Sequence, residues 1–330
     1  MSEHKSVAEA AAVARQTVAA PESGRRTVAA PEADSQAVAA PEGDETVAAP
    51  EADGRAAGYR ARRTLSVRTE LRRQLTRRRT QISLGFLVLL PFLLALAFTF
   101  GSSSRSTSGG FVDLATSGGL NFTVFTLFVS TGFLLVVVVS LFFGDSVASE
   151  ASWSSLRYLL AVPVPRARLL RQKAVVAALV SVFGLVLLPA VALALGTAMY
   201  GANPVLNPLG EALSYGQGTG RLVLIVLFVA VQLSWVAGLA MAMSVLTDAP
   251  LGAVGGAVMI TILSQILDAI PALGDLRNWL PTHYANAWTA LLSTDIDWDH
   301  MVRGTFSSLL YATAFGLVAW RRFATKDITS

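Results

Sequence analysis

An all-α integral membrane protein with six transmembrane helices is the fold class this sequence predicts, and three observations predict it. Hydrophobic residues make up 53% of the 330, and only 15% are charged, where soluble domains carry about a quarter charged residues. The apolar residues fall in six long runs. The cations gather at alternate ends of those runs, as they do at the cytoplasmic ends of spans. The chain has no cysteine, which excludes disulfides and thiolate metal sites.

Taken in order, residues 1–54 repeat Thr17-Val-Ala-Ala-Pro-Glu at Thr27, Ala37 and Thr46. A repeat of Ala, Pro and acids has no large side chains with which to build a core, and each Pro interrupts a helix, so this stretch is expected to be a disordered tail. The first apolar run begins near Ile82, too far along for a secretory signal peptide. Residues 55–81 are strongly basic, with Leu65, Leu71, Leu75 and Ile82 on one stripe. They read as an amphipathic helix at an anionic leaflet, its Arg stems snorkelling. Nucleic-acid binding is the competing explanation of the charge, and the apolar run that follows argues against it.

The six expected spans are 82–100, 122–143, 174–199, 222–246, 251–270 and 305–320, most of them reaching the roughly 20 residues a helix needs to cross the hydrocarbon. They form a domain over 82–323, followed by a short tail over 324–330. With the N-terminus inside, the cytoplasmic segments 55–79, 144–173 and the C-terminus hold ten, five and three Lys or Arg, while the outer loops hold only Arg105, Arg221, Arg277 and Arg303. Both termini are therefore expected to be cytoplasmic, in a multi-pass protein.

Some chemistry is missing. The lysines are Lys5, Lys173 and Lys326, and no glycine precedes any of them, so there is no phosphate-binding loop of the usual kind. The three histidines are too scattered for a metal cluster, and no Gly-x-Ser-x-Gly elbow is present. No enzyme active site or bound cofactor is expected. Within the spans, Gln232 and Thr261 fit either a solute path or hydrogen bonds between helices. No ionisable residue lies near mid-span, which argues against secondary transport. Gly252 and Gly256, four apart, allow close helix packing, either within one chain or at a homodimer seam.

The segment between the second and third runs, Gly144–Lys173, is the most informative. Asp145 is a plausible N-cap. Trp153, Leu156 and Leu160 share a helix face, and so do Glu150 and Arg157. Pro163 ends that helix, Val162-Pro-Val-Pro makes a stiff link, and Arg166, Arg168, Arg171 and Lys173 lead into the third span. A generic interfacial loop has the same features.

Glu150, then Ser154-Ser-Leu-Arg-Tyr-Leu-Leu-Ala-Val-Pro-Val-Pro-Arg166, then Leu169-Leu-Arg-Gln-Lys173 resembles the cytoplasmic signature of permease subunits of type-2 ATP-binding-cassette exporters. That pattern runs roughly acid, Gly-Thr-Leu, a Leu pair, Pro-Val-Ser-Arg and a later Gly-Lys. Ser154-Ser155, Pro165 and Gln172 depart from it. The resemblance implies a coupling helix carrying Glu150, Trp153, Leu156, Arg157, Leu160, Pro163, Arg166 and Lys173. That helix would seat in a separate ATPase subunit, which binds ATP and Mg. It also implies two permease subunits, identical or different, in the bacterial cytoplasmic membrane, exporting a drug, natural product, lipid or ion. A lipid-binding membrane scaffold or sensor is the main alternative and a secondary transporter the third.

Overall fold

The computed structural model describes residues 66–100, 111–152 and 166–325. The repeat tail, the start of the basic segment, residues 326–330, and Trp153, Leu156, Arg157, Leu160 and Pro163 lie outside the described residues.

The described chain is helical almost throughout. Helix α1 (Val67–Thr76) stops at Arg77, whose extended backbone turns the chain into α2 (Arg78–Phe100). A short α3 (Phe111–Leu114) precedes α4 (Gly119–Thr131) and α5 (Leu134–Ser152). Helix α6 runs unbroken from Arg166 to Tyr200. Then come a small hairpin of β1 (Val205–Leu206) and β2 (Ala212–Leu213), α7 (Tyr215–Gln232), α8 (Ser234–Leu246) and α9 (Pro250–Asp268). Two 3-10 segments, Pro271–Trp279 and Ala287–Leu292, lead to α10 (Asp299–Thr325).

Five helical stretches are long and apolar enough to cross a bilayer, with α7 and α8 acting as one. The sixth expected span lies within α10. Its 27 residues reach about 40 Å at 1.5 Å per residue. It buries Gly304, Ser308 and Ala319 while Phe306, Leu310 and Leu317 face outward. Phe86, Phe92, Leu93 and Leu96 of α2 are likewise exposed. Outward apolar side chains on every peripheral helix are what a lipid solvent permits.

Three boundaries differ from the sequence expectation. The second span is two helices, broken at Gly132–Phe133. The Ser130 and Thr131 hydroxyls bond back to the Thr126 and Leu127 carbonyls, and the Gln265 amide of α9 takes the Gly132 carbonyl at 2.7 Å. Together with glycine's poor helix propensity, these compete with the helical ladder. The fourth span is interrupted at Leu233. Finally, α5 continues nine residues beyond the expected end at Phe143, so Asp145 is inside a helix and is not an N-cap. Its charge is met by arginines from elsewhere, which removes the reason for the helix to stop.

Helix α8 sits at the centre, packed on α5, α9 and α10, while α6 joins α4 and α5 to the peripheral α2. Close approach depends on glycine. A Cβ on Gly119 would come within 2.7 Å of the Thr197 backbone, and one on Gly238 within 2.9 Å of the Ala312 carbonyl. A tight turn joins α8 to α9: the Thr247 hydroxyl accepts from the Ala249 N–H, and Pro250 opens α9, where its missing N–H costs nothing.

Candidate functional site

At the end of the bundle where α1 lies, the chain buries acids and matches them with cations from distant segments. Glu150, near the end of α5, accepts from Lys173 Nζ of α6 at 2.5 Å and from Arg73 Nη2 of α1 at 2.6 Å. Arg73 also reaches Glu70, at 3.1 Å. Asp145 is held by Arg79 at 2.9 Å and Arg77 at 3.2 Å, from the elbow between α1 and α2. The side chains of Glu150 and Lys173 are each only 5% exposed. Isolated charges so buried would be untenable, and each is tolerated because the other neutralises it.

The cluster works as a joint. Residues Asp145 and Glu150 are five apart, so both acids sit within about a turn and a half at the end of α5. Arg73, Arg77 and Arg79 come from one short stretch bent at Arg77. Helix α8 reinforces the joint from the other side, where the Ser244 hydroxyl accepts from the Val147 and Ala148 N–H groups at 3.0 Å each. Helix α1 also rests on protein. Gln74 is buried and Leu71 packs on the core, while Leu75 is exposed. The expected stripe of Leu71 and Leu75 is therefore not the buried face; Leu71 and Gln74 make it, against α6.

Of the residues singled out from sequence, Glu150 and Lys173 meet each other. Glu150 is buried, with Lys173 and Arg73 as its partners. Arg166, the first residue of α6, donates to the Ala324 carbonyl at the end of α10. Gln232 donates to the Pro281 carbonyl and accepts from Ser308, both at 2.8 Å, tying α7 to the segment after α9 and to α10. Thr261 is spent on the Ala257 carbonyl of its own helix. Gly256 faces Met243, where a Cβ would lie 2.5 Å from the methyl, while Gly252 meets no such crowding. The close-packed small face of α9 is Ala253 and Ala257, both fully buried. Asp145, Arg73, Arg77 and Arg79 were not singled out as a set. The available signal was two acids placed just past an apolar run, which need cations if they are buried.

The arrangement holds charges in place. Among the described residues, no group of His, Asp or Glu could hold a metal ion. It can transmit force: two helices flanking residues 153–165 are locked to each other and to the elbow through one set of ion pairs. A protein-family model described as ABC-2 family transporter protein matches residues 68–247, a stretch that includes the whole cluster. No curated protein matches the chain.

Proposed function

Because the chain belongs to the ABC-2 family of transporter proteins, as a multi-pass membrane component, we propose that it couples ATP hydrolysis by a separate ATPase subunit to export of a substrate. In this reading both termini are cytoplasmic, two permease subunits pair, and ATP and Mg reside on the ATPase. Residues 153–165 dock there, with Trp153, Leu156 and Leu160 as apolar contacts and Arg157 as a polar one. Pro163 stiffens the link to α6. The substrate class is a drug, natural product, lipid or ion.

The observation that carries the reading is the lock between the two flanks of that segment. Glu150 lies three residues before it, Lys173 eight after it, and they are 2.5 Å apart. A push on the segment therefore moves α5 and α6 together, along with the elbow through Arg73. Glu150 and Lys173 become positioning residues that keep the docking segment on a rigid base.

Co-expression with a candidate ATP-binding-cassette ATPase, followed by purification through a tag on this chain, tests the reading. The ATPase is expected to copurify, and L156D with L160D to release it while the chain still inserts in the membrane. Retention of the ATPase and unchanged transport in that double variant would overturn the docking assignment.

A further inference from the structure

Helix α2 packs mainly on α6, and along its other side, facing the α4–α5 span, the structure has two separate hollows. The first is a polar cleft at the elbow. Arg77, Arg78 and Arg79 line it together with Arg73, and Asp145 and Glu150 lie at its base. The second is an apolar groove further along the same seam, formed by Phe86, Leu90 and Leu93 of α2 and by Val129, Phe133 and Leu134 at the α4–α5 break.

The charges in the cleft do not cancel. Arg73, Arg77, Arg78 and Arg79 face Asp145 and Glu150, four cations against two acids, a net of +2. The acids are already engaged, Asp145 by Arg77 and Arg79 and Glu150 by Lys173 and Arg73. Arg78 is exposed and has no acid partner among the described residues, and Arg79, bound to Asp145 through one nitrogen, keeps 64% of its side chain exposed. Guanidinium groups presented this way suit a phosphate, which they can grip through two N–H bonds at once.

The spacing of the hollows identifies what carries the phosphate. From Arg79 to Leu90 along α2 is eleven residues, and from Asp145 back to Leu134 along α5 is also eleven. Each gives about 16 Å at 1.5 Å per residue. That is close to half the hydrocarbon thickness of about 30 Å, the distance from the headgroup level to the midplane. A phosphodiester in the cleft would thus place the end of its acyl chain in the groove.

We propose that the seam between α2 and the α4–α5 span is a binding site for one anionic phospholipid, its phosphodiester held by Arg78 and Arg79 and one acyl chain lying against Phe133 and Leu134. The bound headgroup draws on Arg79, which also pairs with Asp145, so lipid occupancy is linked to the strength of the joint. The proposal stands whether or not an ATPase docks at residues 153–165.

The test uses the purified full chain in a neutral detergent and reads its thermal unfolding. Dioctanoyl phosphatidylglycerol is expected to raise Tm at concentrations where dioctanoyl phosphatidylcholine and inorganic phosphate do not. Arg78→Gln, at an exposed position without an acid partner, is expected to weaken the phosphatidylglycerol response about tenfold, the scale of one charge-assisted contact. Leu134→Trp, which fills the groove, is expected to reduce it as well. Equal protection by the two lipids, equal protection by phosphate alone, or an unchanged response in Arg78→Gln would each overturn the proposal. So would absence of lipid protection with disulfide trapping of two copies through Leu93→Cys, which would assign the groove to a second chain; the protein's lack of cysteine makes that trap clean.

Discussion

At the basic end of the bundle, long cationic side chains reach across gaps between helices, and the arginines there find acids 66 to 77 residues away in sequence. At the far end the joints are short. The Asn121 side chain pairs with both the N–H and the carbonyl of Leu206, at 3.0 and 2.7 Å, as a neighbouring strand would. Asn207 closes the hairpin turn. Arg221 spends its guanidinium on the carbonyls of Leu291 and Ser293, and Glu211 clips the hairpin to Thr294. Gly119 and Gly196 bring α4 against α6 with almost no side chain between them. Exposed ion pairs on long stems, such as that of Arg79, can exchange partners with little strain around the buried Glu150–Lys173 pair, whereas backbone contacts at glycine cannot shift without breaking. One end is therefore suited to rearrangement and the other to acting as a fixed point.

That contrast can be broken by experiment. The largest effect is expected at the buried pair. Lys173→Met leaves Glu150 with a buried charge that Arg73 only partly offsets, and should cost about 3–5 kcal/mol, measured by thermal unfolding in detergent. Adding Glu150→Leu should recover most of the loss, because an apolar pair of similar volume often serves as well as a buried ion pair. If the double variant is no more stable than the single one, the pair is not the core of the joint.

Next in size is the far end. Gly119→Ala drives a Cβ into the Thr197 backbone and should cost about 1–3 kcal/mol as an overpacked contact. Its signature should be faster hydrogen exchange in the hairpin, with the elbow unaffected.

A smaller effect separates the ends by salt. Raising NaCl to about 1 M should weaken the exposed Arg79 pair by less than about 1 kcal/mol. Exchange should then quicken at Arg77–Thr80 and stay constant at Asn207–Leu213. Equal loosening at both ends would remove the distinction.

The smallest effect is one of pH. Hydrogen bonds from the Thr294 backbone and hydroxyl hold the Glu211 carboxyl below its ordinary value of 4.5. The ionised form is thus favoured in the folded chain, and its contribution is present above pH 4.5 and lost as the pH falls through the lower folded value. Exchange of the Thr294 amide should accelerate only in that acid window, and Glu211→Gln should abolish the pH dependence.

How much of this was legible in the sequence follows from the range of the interactions. Apolar runs are local, so the approximate positions of the apolar helices could be read directly. The breaks at Gly132 and Leu233 lie within runs long enough for one span each, beside Ser130 and Thr131 and between Gln232 and Ser234. The first depends on Gln265, 133 residues away, and no local pattern reports such a partner. Asp145 was read as a cap because acids after an apolar run usually mark water; its true partners, Arg77 and Arg79, come from a stretch whose charge had already been assigned to lipid. Gln232 was correctly placed among the polar groups inside the spans, but only the folded chain distinguishes a path from a tether.

One consequence belongs to α6. It carries Lys173 at the basic end and Thr197 beside Gly119 at the far end, 24 residues apart and so separated by about 36 Å. As a rigid rod pivoting at Lys173, a tilt of about 10° would sweep Thr197 sideways by about 6 Å by the same geometry. The contact at Gly119, where even one methyl has no room, could not follow such a sweep. Pro189 interrupts the helical hydrogen bonding of α6 between those points. Any such swing would have to be taken up between those points, where Pro189 leaves one carbonyl of the helical ladder without its usual donor.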